Sequence, residues 1–537
     1  MKKYFLFLTV LCFHFYTYAQ QDAWVYFIDK PNVSASIANP TTILTQKAID
    51  RKSRHNITID ARDVPVNESY IAQLKMQTGI TVYAKSKWFN AVHVRGSETN
   101  IKALINLAFV NQIEFADKSI NTSKPFKDKA ISKLESVSTT YNYGNALNQI
   151  EMFNGDKLHA LNYTGTGVTV AVLDAGFPKV NTMSAFAKLR NEGRLLNDYD
   201  FVNRDNDVYT NTTSNHGTLV LSDMAAYIEN QFVGTAPNAS YYLFITEDAT
   251  SENPVEESYW VEAAERADSL GVDIINTSLG YKDYGPTYSS YTYSDSELDG
   301  KTAYITKGAN IAFEKGIMLV VSAGNSGNDG VGAPADSQYV LSIGAVKASG
   351  DYATFSSVGS AIQPSQKPDV VAQGQASYVI TENDVITTAN GTSFSSPILA
   401  GGIACLMQAL PNSTNAEIME LVKASASLYT TPNYQLGYGI PDLDKALSSA
   451  LSSTDATDVI DNVKLYPNPS QEFVFIDLPN LKAEANIRFY DVLGKLVLNH
   501  TVNQELNKID VLNLSLGLYI VKIESSKKSI TLKFIKD

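Results

Sequence analysis

Val168-Thr169-Val170-Ala171-Val172-Leu173-Asp174-Ala175-Gly176 is a nearly continuous apolar run that closes on a carboxylate and a glycine. An uninterrupted run of this kind is the pattern of a strand covered on both faces, as in a parallel sheet flanked by helices, and it predicts an α/β fold. Open α/β sheets bind ligands at the carboxyl edge of their strands, so Asp174 stands at the expected functional rim. An aspartate beside a glycine is also ordinary turn chemistry, and this stretch alone leaves that reading open.

Working outward, Asn215-His216-Gly217-Thr218 precedes Leu219-Val220-Leu221 and Met224-Ala225-Ala226, a helical apolar pattern with His216 in its first turn. Of six histidines (His14, His55, His93, His159, His216, His500), only His159 and His216 fall in the same central segment as the strand. His159 has neither a glycine nor a helix signal beside it and reads as structural. Further on, Asn390-Gly391-Thr392-Ser393-Phe394-Ser395-Ser396-Pro397 runs straight into Ile398-Leu399-Ala400-Gly401-Gly402-Ile403-Ala404-Cys405-Leu406-Met407. Gly391 can take a turn conformation closed to other residues, and Pro397 is expected in the first turn of a buried helix. Ser393 then sits where unpaired N–H groups and the positive helix end favour negative charge, which suits a nucleophilic hydroxyl. The same serine could simply cap the helix. Two more stretches complete the set: Val321-Ser322-Ala323-Gly324-Asn325-Ser326-Gly327, after the apolar Gly316-Ile317-Met318-Leu319-Val320, and Val272-Asp273-Ile274-Ile275-Asn276-Thr277-Ser278-Leu279-Gly280.

In this chain order, the blocks around Asp174, His216, Asn325 and Ser393 resemble those of subtilisin-like serine proteases, the subtilases. Ala175 and Phe177 depart from the residues more usual there, without touching a reacting atom. The resemblance implies a parallel-sheet catalytic domain in which Ser393 attacks the peptide carbonyl, His216 moves the proton and Asp174 orients the imidazole. It implies that the Asn325 amide and the Ser393 N–H stabilise the oxyanion. Ser278, Leu279 and Gly280 would pair with substrate and, with Ser322, Ala323 and Gly324, flank the pocket for the residue before the cut. Neither flank carries a charge, so an uncharged or apolar residue is expected there. The rival is a surface-displayed peptide-binding protein on an idle protease fold. A sedolisin-like variant is a further alternative, against which His216-Gly217-Thr218 argues.

Length and composition fit an enzyme with appendages. The 537 residues are too many for one core and suggest three or four units. With 43 basic against 56 acidic residues the net charge is -13, the opposite of a nucleic-acid-binding footprint. Lys2-Lys3, the apolar Tyr4 to Tyr16 and Thr17-Tyr18-Ala19 read as a signal peptide over 1–19, and no later run is long enough to span a bilayer. Export would remove Cys12 and leave Cys405 as the one cysteine, a small buried hydrophobe unable to form an internal disulfide. Asp205-Asn206-Asp207 offers oxygens to a structural calcium ion, but no full ligand set is legible and solvated turn residues are preferred. No cofactor is required by the chemistry.

The flanks change character. Residues 20–120 mix short strands (Trp24 to Ile28, Thr81 to Ala84, Ala91 to Val94) with helical stretches, a small α+β domain resembling a subtilase propeptide; an independent binding module is the alternative. Residues 121–140 read as a linker, 141–450 as the catalytic domain with an inserted surface loop at Tyr281 to Thr306, and 451–462 as a second linker. Residues 463–537 show short strands separated by turns, the pattern of a small β-sandwich. Tyr466-Pro467-Asn468-Pro469, Asp491-Val492-Leu493-Gly494-Lys495 and Gly517-Leu518-Tyr519 resemble the C-terminal sorting domain of Bacteroidota type IX secretion substrates; a substrate-binding β-module is the alternative. These resemblances imply a monomer made as a zymogen and exported through the periplasm to the cell surface or beyond. Its partners would be protein or peptide substrates, its own propeptide and the secretion machinery.

Overall fold

The computed structural model describes residues 20–120, 141–210, 212, 214–457, 464–478, 485–491, 495–502, 506–525 and 528–537. The expected signal peptide and the 121–140 linker lie outside the described residues. The chain divides into two compact units, Met1–Leu447 and Ser448–Asp537.

Strand β1 (Gln20–Phe27), helices α1 (Gln46–Arg54) and α2 (Glu68–Lys75), and strands β2 (Ile80–Ser86), β3 (Ala91–Ser97) and β4 (Val110–Phe115) form the N-terminal domain. Its sheet is antiparallel with strand order β2-β3-β1-β4. Val25, Leu74, Val92, Val94 and Ile101 meet in an apolar cluster of its own, each worth roughly 1.5–3 kcal/mol when fully buried. The expected α+β domain is therefore present.

The large sheet follows. In chain order its elements are β5 (Thr169–Asp174), β6 (Tyr199–Asp200), α3 (His216–Ala225), β7 (Ser240–Ile245), α4 (Val255–Leu270), β8 (Ile274–Thr277), α5 (Tyr304–Glu314), β9 (Met318–Ser322), β10 (Leu341–Val346), β11 (Val370–Gln373) and α6 (Thr392–Ala409). The strands pair in the order β11-β10-β9-β8-β5-β7-β6, all parallel. Every residue of β5, β8, β9, β10 and β11 is buried, which is why these stretches lack the alternation of a half-exposed strand. Because the strands run the same way, Asp174 at the end of β5, Ser278 after β8 and Asn325 after β9 collect at one edge. Gly217 lets α3 come close to that edge: a β-carbon there would lie 2.6 Å from the Gly176 carbonyl.

The N-terminal domain packs on α4 and α5 and also reaches the opposite sheet edge. Glu265 of α4 accepts the Lys87 and Trp88 N–H groups at 2.8 and 2.9 Å, and Trp24 stacks on Tyr304 at 4.1 Å. From α1, Lys52 bonds Asp268 at 2.8 Å and Lys47 bonds Asp273 at 2.7 Å, while Lys315 bonds Asp63 at 2.8 Å. Asp268, Asp273 and Lys315 all precede the strands they lead into, so this second contact lies across the sheet from Asp174. Asp268, Lys52, Asp63 and Lys315 are buried, and each charge has a partner, the condition under which buried ions are tolerated.

The second unit is a pair of antiparallel sheets, one from 464–466, 473–477 and 506–510, the other from 485–490, 496–502, 517–525 and 528–536. Val474, Ile476, Ile487, Phe489, Val521 and Phe534 of both sheets share one core, the expected β-sandwich. The expected linker at 451–462 begins differently: helix Leu443–Thr457 runs into it. Its Ser-rich composition resembles a linker, but Leu443, Ala446, Leu447 and Ala450 keep helical spacing and are fully buried.

Candidate active site

Asp174 ends β5 fully buried, and its Oδ1 accepts both His216 Nδ1 and the Ala175 N–H, each at 2.7 Å. The Thr246 N–H bonds the Asp174 carbonyl at 3.1 Å, holding the end of β5 to that of β7. His216 opens α3, its N–H donating to Ser214 Oγ at 3.2 Å, and its side chain is 30% exposed toward the cleft. Burial pushes the imidazole pKa down, but the Asp174 charge and hydrogen bond, helped by Glu247, overcome this and hold it above its ordinary value. The His216 ring lies 6.0 Å, centre to centre, from that of Phe394, the residue that follows Ser393.

Ser393 is the second residue of α6 and 8% exposed. Gly391 before it has φ +152°, a conformation that residues with a β-carbon rarely adopt. Pro397 lies in the second turn of α6, not the first as the sequence suggested. Its missing N–H deprives the Ser393 carbonyl of its helical donor. Ser278 Oγ fills the gap at 2.8 Å, and Ser393 Oγ donates back to the Ser278 carbonyl at 3.3 Å. Below this pair, Asn276 Nδ2 reaches Ser278 Oγ at 3.3 Å and Ser396 Oγ donates to Asn276 Oδ1 at 3.0 Å. Asn276 and Ser396 are thus support residues that sequence reasoning passed over, since only the fold brings 276 and 396 together.

Asn325 is exposed, and its Oδ1 accepts the Thr392 N–H at 2.8 Å and the Thr392 hydroxyl at 3.0 Å. A backbone N–H can only donate, so the oxygen end of the amide is fixed and Nδ2 is left to donate. Nδ2 lies 3.5 Å from the point where a β-carbon on Gly391 would sit, at the same helix mouth. Among the described residues the Ser393 N–H has no hydrogen-bond partner, so two donors flank Ser393.

Ser322 closes β9, Ala323 bonds the Ile343 carbonyl at 2.9 Å and the Gly324 N–H bonds Thr392 Oγ1 at 3.2 Å, so this segment is tied to the same mouth. Leu279 is half-buried, Gly280 is exposed, and among the described residues neither makes a backbone hydrogen bond. An edge of that kind can pair with an extended peptide. Tyr281, the next residue, pairs with Ala333 at 2.8 Å in both directions.

The Tyr281 to Thr306 stretch is not only a surface loop, as expected, for it has an interior. Glu257 on α4 is buried and accepts from the Tyr284 and Tyr293 hydroxyls and from the Ile305 N–H. The Ser, Asp and Gly content of the stretch suggested solvent, while the acid that gathers its tyrosines lies elsewhere in the chain. His159 is fully buried between the Tyr143 hydroxyl at 3.0 Å and the Thr235 carbonyl at 2.9 Å, and burial lowers its pKa to about 4, fitting a structural role. Cys405 is buried in α6. Asp205 Oδ1 accepts the Asp207 N–H at 2.8 Å, and Asp207 Oδ1 accepts those of Tyr209 and Thr210 at 2.9 and 3.0 Å, which supports their reading as turn residues. Among the described residues no group of three His, Cys, Asp or Glu is placed to hold a metal ion.

A serine hydroxyl, an aspartate-bound histidine and amide donors at the carboxyl edge of a parallel sheet define a serine peptidase. The chain belongs to the subtilase family: residues 165–439 match it, residues 22–133 match the Bacteroidota peptidase S8 propeptide domain and residues 464–537 match the secretion system C-terminal sorting domain. Subtilisin NAT of Bacillus subtilis subsp. natto is 29% identical over 387 residues, 71% of this chain and 90% of that protein. The subtilisin of Bacillus pumilus is 30% identical over 303 residues, 55% of this chain and 97% of that protein. Among solved structures, the prenylagaramide maturation protease PagA aligns with a TM-score of 0.44 at 22% identity, covering 55% of this chain and 97% of that one. The protein is a secreted or cell-surface serine endopeptidase made as a zymogen, and it needs no organic cofactor.

Proposed function

We propose that peptide hydrolysis is carried by Ser393 as nucleophile, His216 as the group that takes its proton and delivers it to the leaving amine, and Asp174 as the carboxylate that orients and charges the imidazole. The 2.7 Å bond between Asp174 and His216, whose ring lies 6.0 Å from that of Phe394 next to Ser393, is the observation that carries this reading. Asn325 Nδ2 and the Ser393 N–H are the proposed oxyanion donors. All members come from one chain, which supports action as a monomer. Asn325→Ala should lower kcat about 100- to 1000-fold with KM little changed. Steady-state kinetics on the purified variant check this, and unchanged turnover would remove Asn325 from the mechanism.

Ser278, Leu279 and Gly280 are proposed to bind substrate backbone and, with Ser322, Ala323 and Gly324, to border the pocket for the residue before the cut. With no charge in either segment, a peptide-library profile should show uncharged or apolar residues at that position; a profile dominated there by Lys or Arg would contradict the assignment. The domain limits proposed are a prodomain ending within 121–140, a catalytic domain to about residue 450 and a sorting domain from 463. The propeptide match through residue 133 supports placing the maturation cut toward the later part of that linker.

A further inference from the structure

Lys118, just past β4, ends in a cage that belongs to the catalytic domain. Its Nζ donates to the Thr292 carbonyl at 3.0 Å and to Glu297 Oε2 at 3.2 Å, and it sits 3.8 Å from the centre of the Tyr293 ring. A carboxylate, a carbonyl and an aromatic face form a site for an ammonium or guanidinium group. The cage does not depend on its occupant. Glu297 is fixed by the Ser294 N–H at 2.9 Å and the Ser294 hydroxyl at 2.6 Å. Tyr293 is fixed by donating to Glu257 at 2.8 Å and accepting from the Tyr304 N–H at 3.2 Å. Burial lowers the Lys118 pKa, while Glu297 and Glu257 oppose that and favour the charged form.

Two further observations connect the cage to turnover. It lies on the stretch that starts immediately after Ser278-Leu279-Gly280, and Tyr281 at its root donates to Glu247, adjacent in sequence to the Thr246 that bonds Asp174. In addition, a zymogen is cut during maturation, and Lys118 stands more than ten residues N-terminal to the cut proposed above.

We propose that the cage is a remote substrate-binding site which takes a lysine or arginine side chain more than ten residues N-terminal to the scissile bond, and that Lys118 fills it in the zymogen. This rests on the peptidase reading above. Once the prodomain has left, Thr292, Tyr293 and Glu297 face solvent with the occupant removed. The pair is only partly shielded, with Lys118 29% and Glu297 27% exposed, so the preference should be modest.

The test uses the processed enzyme and internally quenched peptides spanning residues 112–140 of this chain, with Lys, Arg, Met or Glu at position 118. The Lys and Arg peptides should be cut with similar kcat/KM, the Met peptide about 10-fold more slowly and the Glu peptide more slowly still. In the Glu297→Gln enzyme the Lys-to-Met ratio should fall severalfold, the remainder coming from the Thr292 carbonyl and the Tyr293 ring, which is the signature of a direct pair in a double-mutant cycle. Equal cleavage of the Lys and Met peptides by the native enzyme overturns the remote site, as does a ratio that persists undiminished in the variant. Failure to cut the Lys peptide while casein is degraded also overturns it. Loss of cleavage on peptides and casein alike would instead contradict the peptidase mechanism.

Discussion

Ser393→Ala is expected to lower turnover about a million-fold, the scale on which removing the nucleophile of such a triad acts. The fold should survive, because the substitution deletes one 3.3 Å hydrogen bond to the Ser278 carbonyl and leaves the Ser278 bond to the Ser393 carbonyl in place. One such bond is worth about 0.5–1.5 kcal/mol, a shift of a few degrees in Tm for a protein of this size. The remaining rate, about 1000- to 10000-fold over water, would come from the oxyanion donors and substrate binding. Single-turnover kinetics on the variant, freed of its prodomain by another protease, check the value. A loss below about 100-fold with an unchanged Tm would mean that another group is the nucleophile.

Asp174→Asn should lower kcat about 10000-fold with geometry nearly intact, because an amide in place of the carboxylate stabilises the wrong imidazole tautomer and cannot balance the imidazolium. The pH profile gives a second reading with a defined sign. Catalysis needs neutral His216, and Asp174 holds the imidazole pKa above its ordinary value against the opposing effect of burial. The acidic limb of kcat/KM in the native enzyme therefore lies above that ordinary value, and the Asn variant should move it to lower pH. An acidic limb that stays in place would show that Asp174 does not set the charge of His216.

What could be read from the sequence was what local chemistry specifies. The run from Val168 to Asp174 gave the parallel sheet because a strand buried on both faces leaves no alternation to misread. His216-Gly217 and Gly391-Thr392-Ser393 were legible because each glycine answers a local demand, a close approach at Gly217 and a positive φ at Gly391. What stayed hidden depends on residues far apart in the chain. The Ser278 hydroxyl that replaces the donor missing at Pro397 and the carboxylate of Glu257 under the tyrosines of 284 and 293 follow from tertiary packing. The charge pairs that tie the N-terminal domain to the far sheet edge do likewise, because Lys52 and Lys315 look like solvated lysines until Asp268 and Asp63 are brought to them. Helix Leu443–Thr457 was obscured by serines that composition assigns to linkers, although its apolar spacing is helical.

Labelling with a fluorophosphonate, followed by peptide mapping, tests the central assignment most directly. The proposed mechanism predicts stoichiometric modification of Ser393 once the prodomain has been removed, abolished in Ser393→Ala and strongly slowed in Asp174→Asn. A processed, folded chain in which Ser393 stays unlabelled would contradict it and would favour a binding protein on an idle protease fold.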